Sequence, residues 1–404
     1  MSVQPLFTYS FDLGDGVSGH AVVDSLVNGT SSGGVRIVSA LNPGEVRTLS
    51  SEMTLKYAFF GLPRGGAKCG ISMPDGLAGK ERLRLLEEAG QCLGPLIRHG
   101  TYYPGMDMNC GPDELRAIYR GAGIRLGELT DTSLFTAVFA ASAVTACGES
   151  QAGDEERPLD VAVEGFGNVG AHLASRLDPK RYRIVAISTI AGAVFNSRGF
   201  SPSELTQARK LHGNDLVMHL PGERLEPKER LLELDVDILV PAARVGSIDE
   251  SNEAGIRAAC IVPVANAPCT GEALRRLQER GIMVLPGFVC NAGGVLGSSL
   301  YDRGVSAVQV DDLAKGPYRD VVRELVRTAR AAGLQPTEVA RKVAQARFEK
   351  ARQSASEPSR ALKILRRMGR RSRLLTACLN RDAARACEEN LILLAGELAR
   401  VRER

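Results

Sequence analysis

A glycine-rich segment in the middle of the chain constrains the fold more than any other feature of the sequence. Residues 165–170 read GFGNVG; they follow an apolar run at 159–163 and open a stretch with helical spacing. In the pattern G-x-G-x-x-G the first glycine permits a tight turn, the second lets the backbone approach a pyrophosphate, and the third lets the helix pack close to the strand. A glycine-rich turn alone is a weak signal, but this strand–turn–helix context predicts a dinucleotide-binding βαβ unit.

The region after this segment alternates between short apolar runs and helical stretches. Further apolar runs lie at 182–188, 236–240, 260–265 and 282–285. Strands separated by helices indicate a parallel sheet, and continuous apolarity suits strands covered on both faces. We therefore expect an α/β protein whose dinucleotide-binding part is a Rossmann-type, doubly wound parallel sheet.

The amino-terminal region is less regular. Apolar runs at 21–27 and 57–62 predict strands, and residues 81–97 and 113–121 have helical spacing. The apolar run at 134–147 is 14 residues long, which is short of the roughly 20 that a membrane-spanning helix needs, so it predicts a buried core helix.

Composition excludes several classes of protein. The chain has 404 residues, of which 44% are hydrophobic, and this apolar content excludes disorder as the main state. No basic segment followed by an apolar one is visible at the amino terminus, so no signal peptide is expected. The nine cysteines form no C-x-x-C pair, and the five histidines never approach H-E-x-x-H spacing. We expect reduced thiols, a cytoplasmic protein and no metal site.

The positive charge is concentrated in the tail. Residues 351–404 contain thirteen basic and six acidic side chains and so carry a net charge of +7. The whole chain carries +4, so the first 350 residues sum to −3. Apolar residues recur at steps of three or four from 383 to 401. A basic arm for nucleic acid is one reading, but a helix packed on the body is favoured, because no aromatic residues are interleaved for base stacking.

Two lysines stand out because the chain otherwise prefers arginine. It contains 41 arginines and ten lysines, yet the only lysines before residue 80 are Lys56 and Lys68, beside a glycine cluster. An amine differs from a guanidinium because burial can lower its pKa far enough for acid–base chemistry. The segment 61–68 nearly matches a phosphate-binding loop, but its lysine comes one residue late and Cys69 replaces the magnesium-binding hydroxyl, so a nucleotide triphosphatase is disfavoured.

The chain resembles the glutamate, leucine, phenylalanine and valine dehydrogenases from about residue 32 to residue 345. The family's motifs occur in order at 33–36 (GGVR), 53–56 (MTLK) with 65–68 (GGAK), 104–107 (PGMD), 237–243 (DILVPAA), 265–270 (ANAPCT) and 291–295 (NAGGV). The resemblance implies oxidative deamination of an L-amino acid to a 2-oxo acid and ammonia, or the reverse, with NAD or NADP as cofactor.

The resemblance also assigns roles to residues. Lys68 would activate the attacking water and Asp107 would move protons to and from the amino group. The substrate-binding residues would be Lys56, which takes the α-carboxylate, with Gly33, Gly34, Asn291 and Ser298. The cofactor-binding residues would be Thr136, Gly165, Phe166, Gly167, Asn168, Val169, Gly170, Ser188, Thr189, Ala242, Ala243 and Asn266. Structural readings stay open for Thr136 as a helix-start residue, Asp107 as a turn former and Asn291 as a helix cap.

Some positions depart from the family pattern. Glutamate-specific members carry lysine immediately before G-G-[IL]-R, where it pairs with the side-chain carboxylate, whereas this chain has Ser32. Ser298 matches a serine that glutamate enzymes use, so the specificity signals conflict. Thr189 stands where an acid would bind the ribose 2′-hydroxyl, which leaves NAD and NADP open. A dehydrogenase for a neutral branched-chain or aromatic amino acid, and a non-catalytic relative that acts through partners, remain as alternatives.

The resemblance divides the chain into four parts around a cleft between two domains. These are an α/β substrate-binding, dimerisation-type domain at 1–130, a Rossmann domain at 131–300, helices returning to the first domain at 301–350, and a basic helical extension at 351–404. The expected partners are a small amino-acid substrate and further copies of the chain, with no membrane and no nucleic acid.

Overall fold

The computed structural model describes residues 4–127, 129, 131–151, 157–353 and 373–401. These form two compact units. Unit 1 comprises residues 1–130 and 341–366, and unit 2 comprises residues 131–340 and 367–404. The basic tail considered above as an arm for nucleic acid includes arginines at 366, 367, 370 and 371, and these four lie outside the described residues.

Unit 1 is built on a mixed five-stranded sheet. Its elements are β1 (Phe7–Gly14), β2 (Val17–Val23), β3 (Ser31–Val38), α1 (Pro43–Phe59), β4 (Gly65–Ser72), α2 (Gly79–Arg98), β5 (Tyr102–Met106) and α3 (Pro112–Gly121). The strand order is β1-β2-β4-β3-β5; β3 runs parallel to both β4 and β5, whereas β2 runs antiparallel to β1 and β4. The central parallel strands β4, β3 and β5 carry the residues of interest.

The predicted strand at 57–62 is wrong. Tyr57, Ala58 and Phe59 are the last residues of α1, and the chain then turns before β4. Phe59 and Phe60 are fully buried, so both sides of this helix end are apolar. A short apolar run without helical periodicity cannot be told from a buried strand by pattern alone. The helices predicted at 81–97 and 113–121 correspond to α2 and α3.

Unit 2 is built on a seven-stranded sheet. Its elements up to the last strand are α4 (Thr132–Gln151), β6 (Leu159–Glu164), α5 (Asn168–Ala174), β7 (Tyr182–Thr189), β8 (Gly192–Phe200), α6 (Pro202–His212), α7 (Leu216–His219), β9 (Glu223–Leu225), β10 (Ile238–Pro241), β11 (Cys260–Ile261), α8 (Gly271–Glu279) and β12 (Met283–Val284). The helices that follow are α9 (Gly287–Cys290), α10 (Gly293–Tyr301), α11 (Ala307–Leu313), α12 (Arg319–Ala332) and α14 (Arg373–Val401), with α13 (Pro336–Gln353) continuing into unit 1.

The strand order of unit 2 confirms the predicted doubly wound fold. It is β12-β11-β10-β6-β7-β8-β9, and the five strands from β12 to β7 are mutually parallel. The chain leaves β6 towards β7 and later returns on the other side of β6 as β10. The order therefore reverses between β6 and β10, and this switch point is where doubly wound sheets bind ligands. The antiparallel strands β8 and β9 extend the β7 edge and were not predicted.

Helix α4 is the only described helix that is long and apolar enough to cross a membrane, judged by length and composition. Two thirds of its most apolar window is buried in unit 2. Phe139 packs its ring against that of Tyr318 at a centroid distance of 4.7 Å. A Cβ added at Gly293 of α10 would lie 2.1 Å from the Phe135 carbonyl oxygen, so α10 packs closely on α4. This packing is typical of a core helix, as predicted for 134–147.

The amphipathic pattern of the tail packs against unit 2. Leu391, Leu394 and Leu398 of α14 are buried, and the Thr328 hydroxyl of α12 donates a hydrogen bond to the Leu398 carbonyl oxygen at 3.0 Å. The apolar positions that recur every three or four residues between 383 and 401 therefore face the rest of unit 2.

The prediction of reduced thiols is wrong for one pair of cysteines. Cys147 on α4 and Cys260 on β11 form a disulfide that joins positions 113 residues apart. Their spacing in the sequence contains no sign of this proximity, because it arises only when α4 covers the sheet. Among the cysteines whose side chains the structure describes, six are free: Cys69, Cys92, Cys110, Cys269, Cys290 and Cys387. Cysteine usage therefore no longer argues for a reducing compartment.

Candidate active site

In unit 1 a buried amine meets a buried carboxylate. Lys68 projects from β4, Asp107 follows the end of β5, and the Lys68 Nζ lies 2.7 Å from the Asp107 Oδ2. The Arg36 Nε of β3 donates to the same oxygen at 3.3 Å, and Arg36 also forms an ion pair with Glu45 of α1. Only 4% of the Lys68 side chain and 11% of that of Asp107 are exposed. One carboxylate is thus held by two cations in a largely dry environment.

Glycines allow this cluster to form. A Cβ added at Gly34 would lie 2.6 Å from the Asp107 Cβ, and one at Gly33 would lie 1.6 Å from the Ala67 carbonyl oxygen. A side chain at either position would displace Asp107 or strand β4. Gly66 likewise allows α1 to pack closely on β4, since a Cβ added at Gly66 would lie 2.1 Å from the Thr54 backbone nitrogen of α1. The predicted residues Gly33 and Gly34 therefore allow the Lys68–Asp107 pair to form by having no side chain.

Lys56 is brought close to this pair by α1. It is 5% exposed. Burial, followed by the positive charge of Lys68, lowers the pKa of Lys56 to about 8, against the opposing effects of Glu52 and Asp107. Burial alone would raise the pKa of Asp107, but the charges of Lys68 and Arg36 outweigh it and hold that pKa below its ordinary value. An amine that titrates near neutral pH beside an ionised carboxylate is typical of acid–base sites.

The glycine-rich turn of unit 2 has a different geometry at each glycine. Gly165 adopts φ +89°, and a Cβ there would lie 2.6 Å from the Ala243 Cα, so the turn after β6 needs glycine on two counts. A Cβ at Gly170 would lie 2.5 Å from the Gly165 carbonyl oxygen, which lets α5 pack closely on the strand. Gly167 meets nothing within 4 Å, so the space before α5 is open. These are the three geometries that a dinucleotide-binding turn requires.

Neighbouring strand ends hold this turn in place. The Ser188 hydroxyl accepts from the Gly165 backbone N–H at 3.1 Å, and the Ser188 carbonyl oxygen accepts from the Phe166 N–H at 2.6 Å. The Ala242 N–H donates to the Glu164 carbonyl oxygen at 2.7 Å. Residues predicted on β7 and after β10 therefore converge on the glycine turn at the switch point. Asn168 and Val169 open α5, and Asn168 is exposed.

Comparison with known proteins identifies the family. The family model "Glutamate/Leucine/Phenylalanine/Valine dehydrogenase" matches residues 123–355, and "Glu/Leu/Phe/Val dehydrogenase, dimerisation domain" matches residues 7–122. The chain belongs to this family. A glutamate dehydrogenase of Thermotoga maritima is 32% identical over 339 residues, which cover 76% of this chain and 79% of that protein. A glutamate dehydrogenase of Aeropyrum pernix is 31% identical over 288 residues, which cover 67% of this chain and 68% of that protein.

Solved structures agree with this assignment. The hetero-hexameric glutamate dehydrogenase of Thermus thermophilus in its leucine-bound form matches with a TM-score of 0.74 and 26% identity, covering 87% of this chain and 90% of that one. The L-tryptophan dehydrogenase of Nostoc punctiforme shares the fold, with a TM-score of 0.60 and 22% identity. The chain is thus an amino-acid dehydrogenase of the glutamate dehydrogenase-like type, and the comparisons favour neither alternative drawn from the sequence.

The remaining predicted residues of this dehydrogenase lie in unit 2. The Thr136 hydroxyl of α4 donates to the Thr132 carbonyl oxygen at 2.9 Å. A Cβ added at Gly294 would lie 2.9 Å from the Thr136 hydroxyl oxygen. The Asn291 amide donates to the Ala265 carbonyl oxygen at 3.1 Å, next to Asn266, while its Oδ1 is buried without a partner in the part of the chain that the structure describes. The Ser298 hydroxyl donates to the Gly294 carbonyl oxygen within its own helix. No group of three metal-ligating side chains occurs among the described residues.

Sequence reasoning missed two arginines beside these sites. The Arg209 guanidinium of α6 donates to the Phe166 carbonyl oxygen at 2.6 Å and to the Asn168 side chain at 3.3 Å, so it braces the glycine turn. Arg64 immediately precedes β4, and its guanidinium lies 4.7 Å from the centre of the Tyr103 ring. Arg64 could have been identified from the sequence, because it directly precedes the paired glycines 65–66 that lead to Lys68. No local pattern marks Arg209, which reaches the turn from 43 residues away.

Proposed function

We propose that the protein catalyses NAD(P)-dependent oxidative deamination of an L-amino acid to a 2-oxo acid and ammonia, and the reverse reductive amination. The observation that carries this proposal is the buried Lys68–Asp107 pair at 2.7 Å, with Lys56 close enough for its pKa to respond to both charges. Membership of the dehydrogenase family supports it.

Lys56, Lys68 and Asp107 each have a separate role in this reaction. The Lys56 ammonium binds the substrate α-carboxylate. Asp107 takes the proton that the amino group loses as the Cα–H bond breaks, and it starts ionised because Lys68 and Arg36 stabilise its carboxylate. Lys68 activates the water that attacks the iminium carbon and relays one of its protons. The carbinolamine then passes its hydroxyl proton to the amino group, which leaves as ammonia. Burial of all three side chains strengthens these interactions by excluding water.

The residues of unit 2 fit a dinucleotide. The open space at Gly167 admits a pyrophosphate to the backbone, and Gly165 and Gly170 shape the turn that presents it. When bound, the nicotinamide of NAD or NADP accepts the hydride from the substrate Cα. Ser188, Thr189, Ala242, Ala243, Asn266 and Thr136 are the proposed further contacts, with Asn291 and Ser298 on the substrate side.

The environment of Thr189 leaves the cofactor's 2′ group open. Its hydroxyl donates to the Asn214 carbonyl oxygen at 2.7 Å and accepts from the Ala191 N–H at 3.1 Å. This position therefore provides no carboxylate that would repel a 2′-phosphate. We also propose that the chain assembles with further copies of itself; the Thermus enzyme, a hetero-hexamer, is a precedent for an oligomer but not for identical subunits. Residues 1–130 and 131–300 have the proposed substrate-binding and dinucleotide-binding roles given above.

The test is an activity screen of the twenty amino acids against NAD and NADP, followed by Lys68→Ala. We expect NAD(P)H formation with at least one amino acid and its loss in Lys68→Ala, because Lys68 supplies the amine that contacts Asp107. Lys80→Ala is the control, since Lys80 is exposed at the start of α2. Absence of turnover by folded wild-type protein, or full activity of Lys68→Ala, would overturn the proposal.

A further inference from the structure

Ser32 lies on the same face of the sheet as the acid–base pair. On β3 it is directly opposite Gly66 of β4 and Tyr103 of β5. Gly34, two residues further along β3, faces Asp107. Because alternate residues of a strand share a face, Ser32 also lies on the Asp107 face, about 7 Å before Gly34. A substrate anchored at the acid–base pair would thus direct its distal end along β3 towards Ser32.

Ser32 itself cannot neutralise a negative charge. Its hydroxyl donates to the Tyr103 carbonyl oxygen at 2.8 Å, and it lies near enough to the Tyr57 hydroxyl to lower the Tyr57 pKa against the effect of burial. Both Ser32 and Tyr57 are less than 10% exposed. A buried carboxylate that meets only hydroxyl groups loses more hydration than it regains. A cation near Ser32 is therefore required if the substrate is acidic.

Arg64 places a cation at this position. Its backbone precedes β4 on one side of β3, and its guanidinium rests on the Tyr103 ring of β5 on the other side, so the side chain brackets the strand that carries Ser32. The positive charge of Arg64 also acts on Tyr57, where it opposes the burial that raises the Tyr57 pKa. Ser32, Tyr57, Arg64 and Tyr103 therefore form one cluster, which we call the distal cluster.

The charge of Arg64 is not neutralised within the described structure. No ion pair joins Arg64 to a carboxylate of the described residues, whereas most other arginines of unit 1 pair with an acid. Arg64 is also exposed, so an incoming ligand can reach it. Stacking on Tyr103 restricts the orientation of the guanidinium plane, and a guanidinium of fixed orientation can bind a carboxylate through two parallel hydrogen bonds.

We infer that Arg64 is the specificity-determining residue of the distal cluster and binds the side-chain carboxylate of an acidic L-amino acid. Arg64 would supply from the start of β4 the cation that Ser32 lacks, and the hydroxyl of Ser32 or Tyr57 would donate a further hydrogen bond to the substrate carboxylate. This inference rests on the proposed function and assigns its substrate class.

The test compares Arg64→Leu with wild-type enzyme on L-glutamate and on L-norvaline. L-norvaline is a neutral amino acid whose side chain has the same number of carbon atoms as that of glutamate. A lost hydrogen bond between charged groups corresponds to roughly a 10- to 100-fold fall in kcat/KM. We expect this fall for glutamate, through KM, and less than a threefold change for norvaline. Arg64→Lys should retain part of the preference, and Ser32→Lys added to Arg64→Leu should restore it.

Two further measurements make the result decisive. Calorimetric titration with glutarate, which has two carboxylates and no amino group, should show weakened binding in Arg64→Leu without any turnover. Arg47→Leu is the matched control, because Arg47 is an exposed arginine of α1 without an ion pair to the described residues. An unchanged glutamate-to-norvaline ratio in Arg64→Leu, or a wild-type enzyme that uses only neutral amino acids, would overturn this inference alone. Absence of turnover with every amino acid would instead overturn the proposed function.

Discussion

In unit 2 the proposed dinucleotide site consists mainly of backbone, whereas in unit 1 the proposed acid–base site consists of buried charges. Gly165, Gly167 and Gly170 each act by having no side chain, and all three lie within six residues. Lys56, Lys68 and Asp107 come from three separate segments of unit 1, and the positive charge of Lys68 lowers the pKa values of the other two. A backbone site is thus defined by a local pattern, while a charge cluster depends on contacts between distant segments.

Asp107→Asn should have the largest effect and should separate the two units functionally. An amide cannot exchange the proton, so we expect kcat to fall on the order of 10³-fold. Binding of NADH should be unchanged, because the glycine turn is a separate structure in unit 2. Steady-state kinetics and a fluorescence titration with NADH measure the two quantities.

The control for this variant is Asp113→Asn, which removes an exposed carboxylate of α3 that pairs with Arg116, three residues further along the same helix. It should keep its activity. If Asp107→Asn retained kcat within tenfold of wild type, Asp107 would be a structural counter-ion for Lys68 and Arg36, and the contrast between the units would lose its basis.

Gly167→Val tests the opposite half of the comparison. No atom lies within 4 Å of a Cβ at this position, so the thermal unfolding temperature should not change. A valine side chain would fill the space that the pyrophosphate needs, and we expect NADH affinity to fall roughly tenfold or more, which corresponds to about 1.4 kcal/mol.

Gly271→Val is the matched control, since Gly271 begins α8 in the same unit and its Cβ also meets nothing within 4 Å. It should bind NADH as wild type does. Equal affinity of Gly167→Val and Gly271→Val would show that the open space at Gly167 does not receive the cofactor.

The same contrast explains how much could be predicted from the sequence. The parallel strands and the glycine turn of unit 2 were predictable, because strand burial and turn geometry leave local patterns. In unit 1 the strand at 57–62 was wrong, since a helix end buried on all sides has lost its periodicity. The pairing of Lys68 with Asp107 was expected only through family resemblance. The Arg64–Tyr103 contact was missed, because it joins segments 39 residues apart and has no local pattern.

Lys56→Met should weaken substrate binding, as its proposed role requires, and it should also have a smaller, separate effect on stability. The folded protein lowers the pKa of Lys56 from its ordinary 10.5 to about 8. Between these values the unfolded chain binds more protons, so this group makes the folded state more stable as pH rises from 8 to 10.5, and its full cost is present at pH 7. Removing the amine should therefore raise the free energy of unfolding at pH 7 by up to about 3 kcal/mol.

Thermal unfolding followed by circular dichroism at pH 7 and at pH 10 measures this difference, with Lys80→Met as the exposed control. The gain of Lys56→Met over wild type should be clear at pH 7 and mostly lost at pH 10, whereas Lys80→Met should match wild type at both. A gain independent of pH would mean that better packing by methionine causes it. A loss at pH 7 would mean that Lys56 is stabilised by Glu52 and Asp107 more than burial destabilises it, and the charge cluster of unit 1 would then be a stabilising structural network. The pH dependence therefore distinguishes a site maintained at the expense of stability from one that holds its unit together.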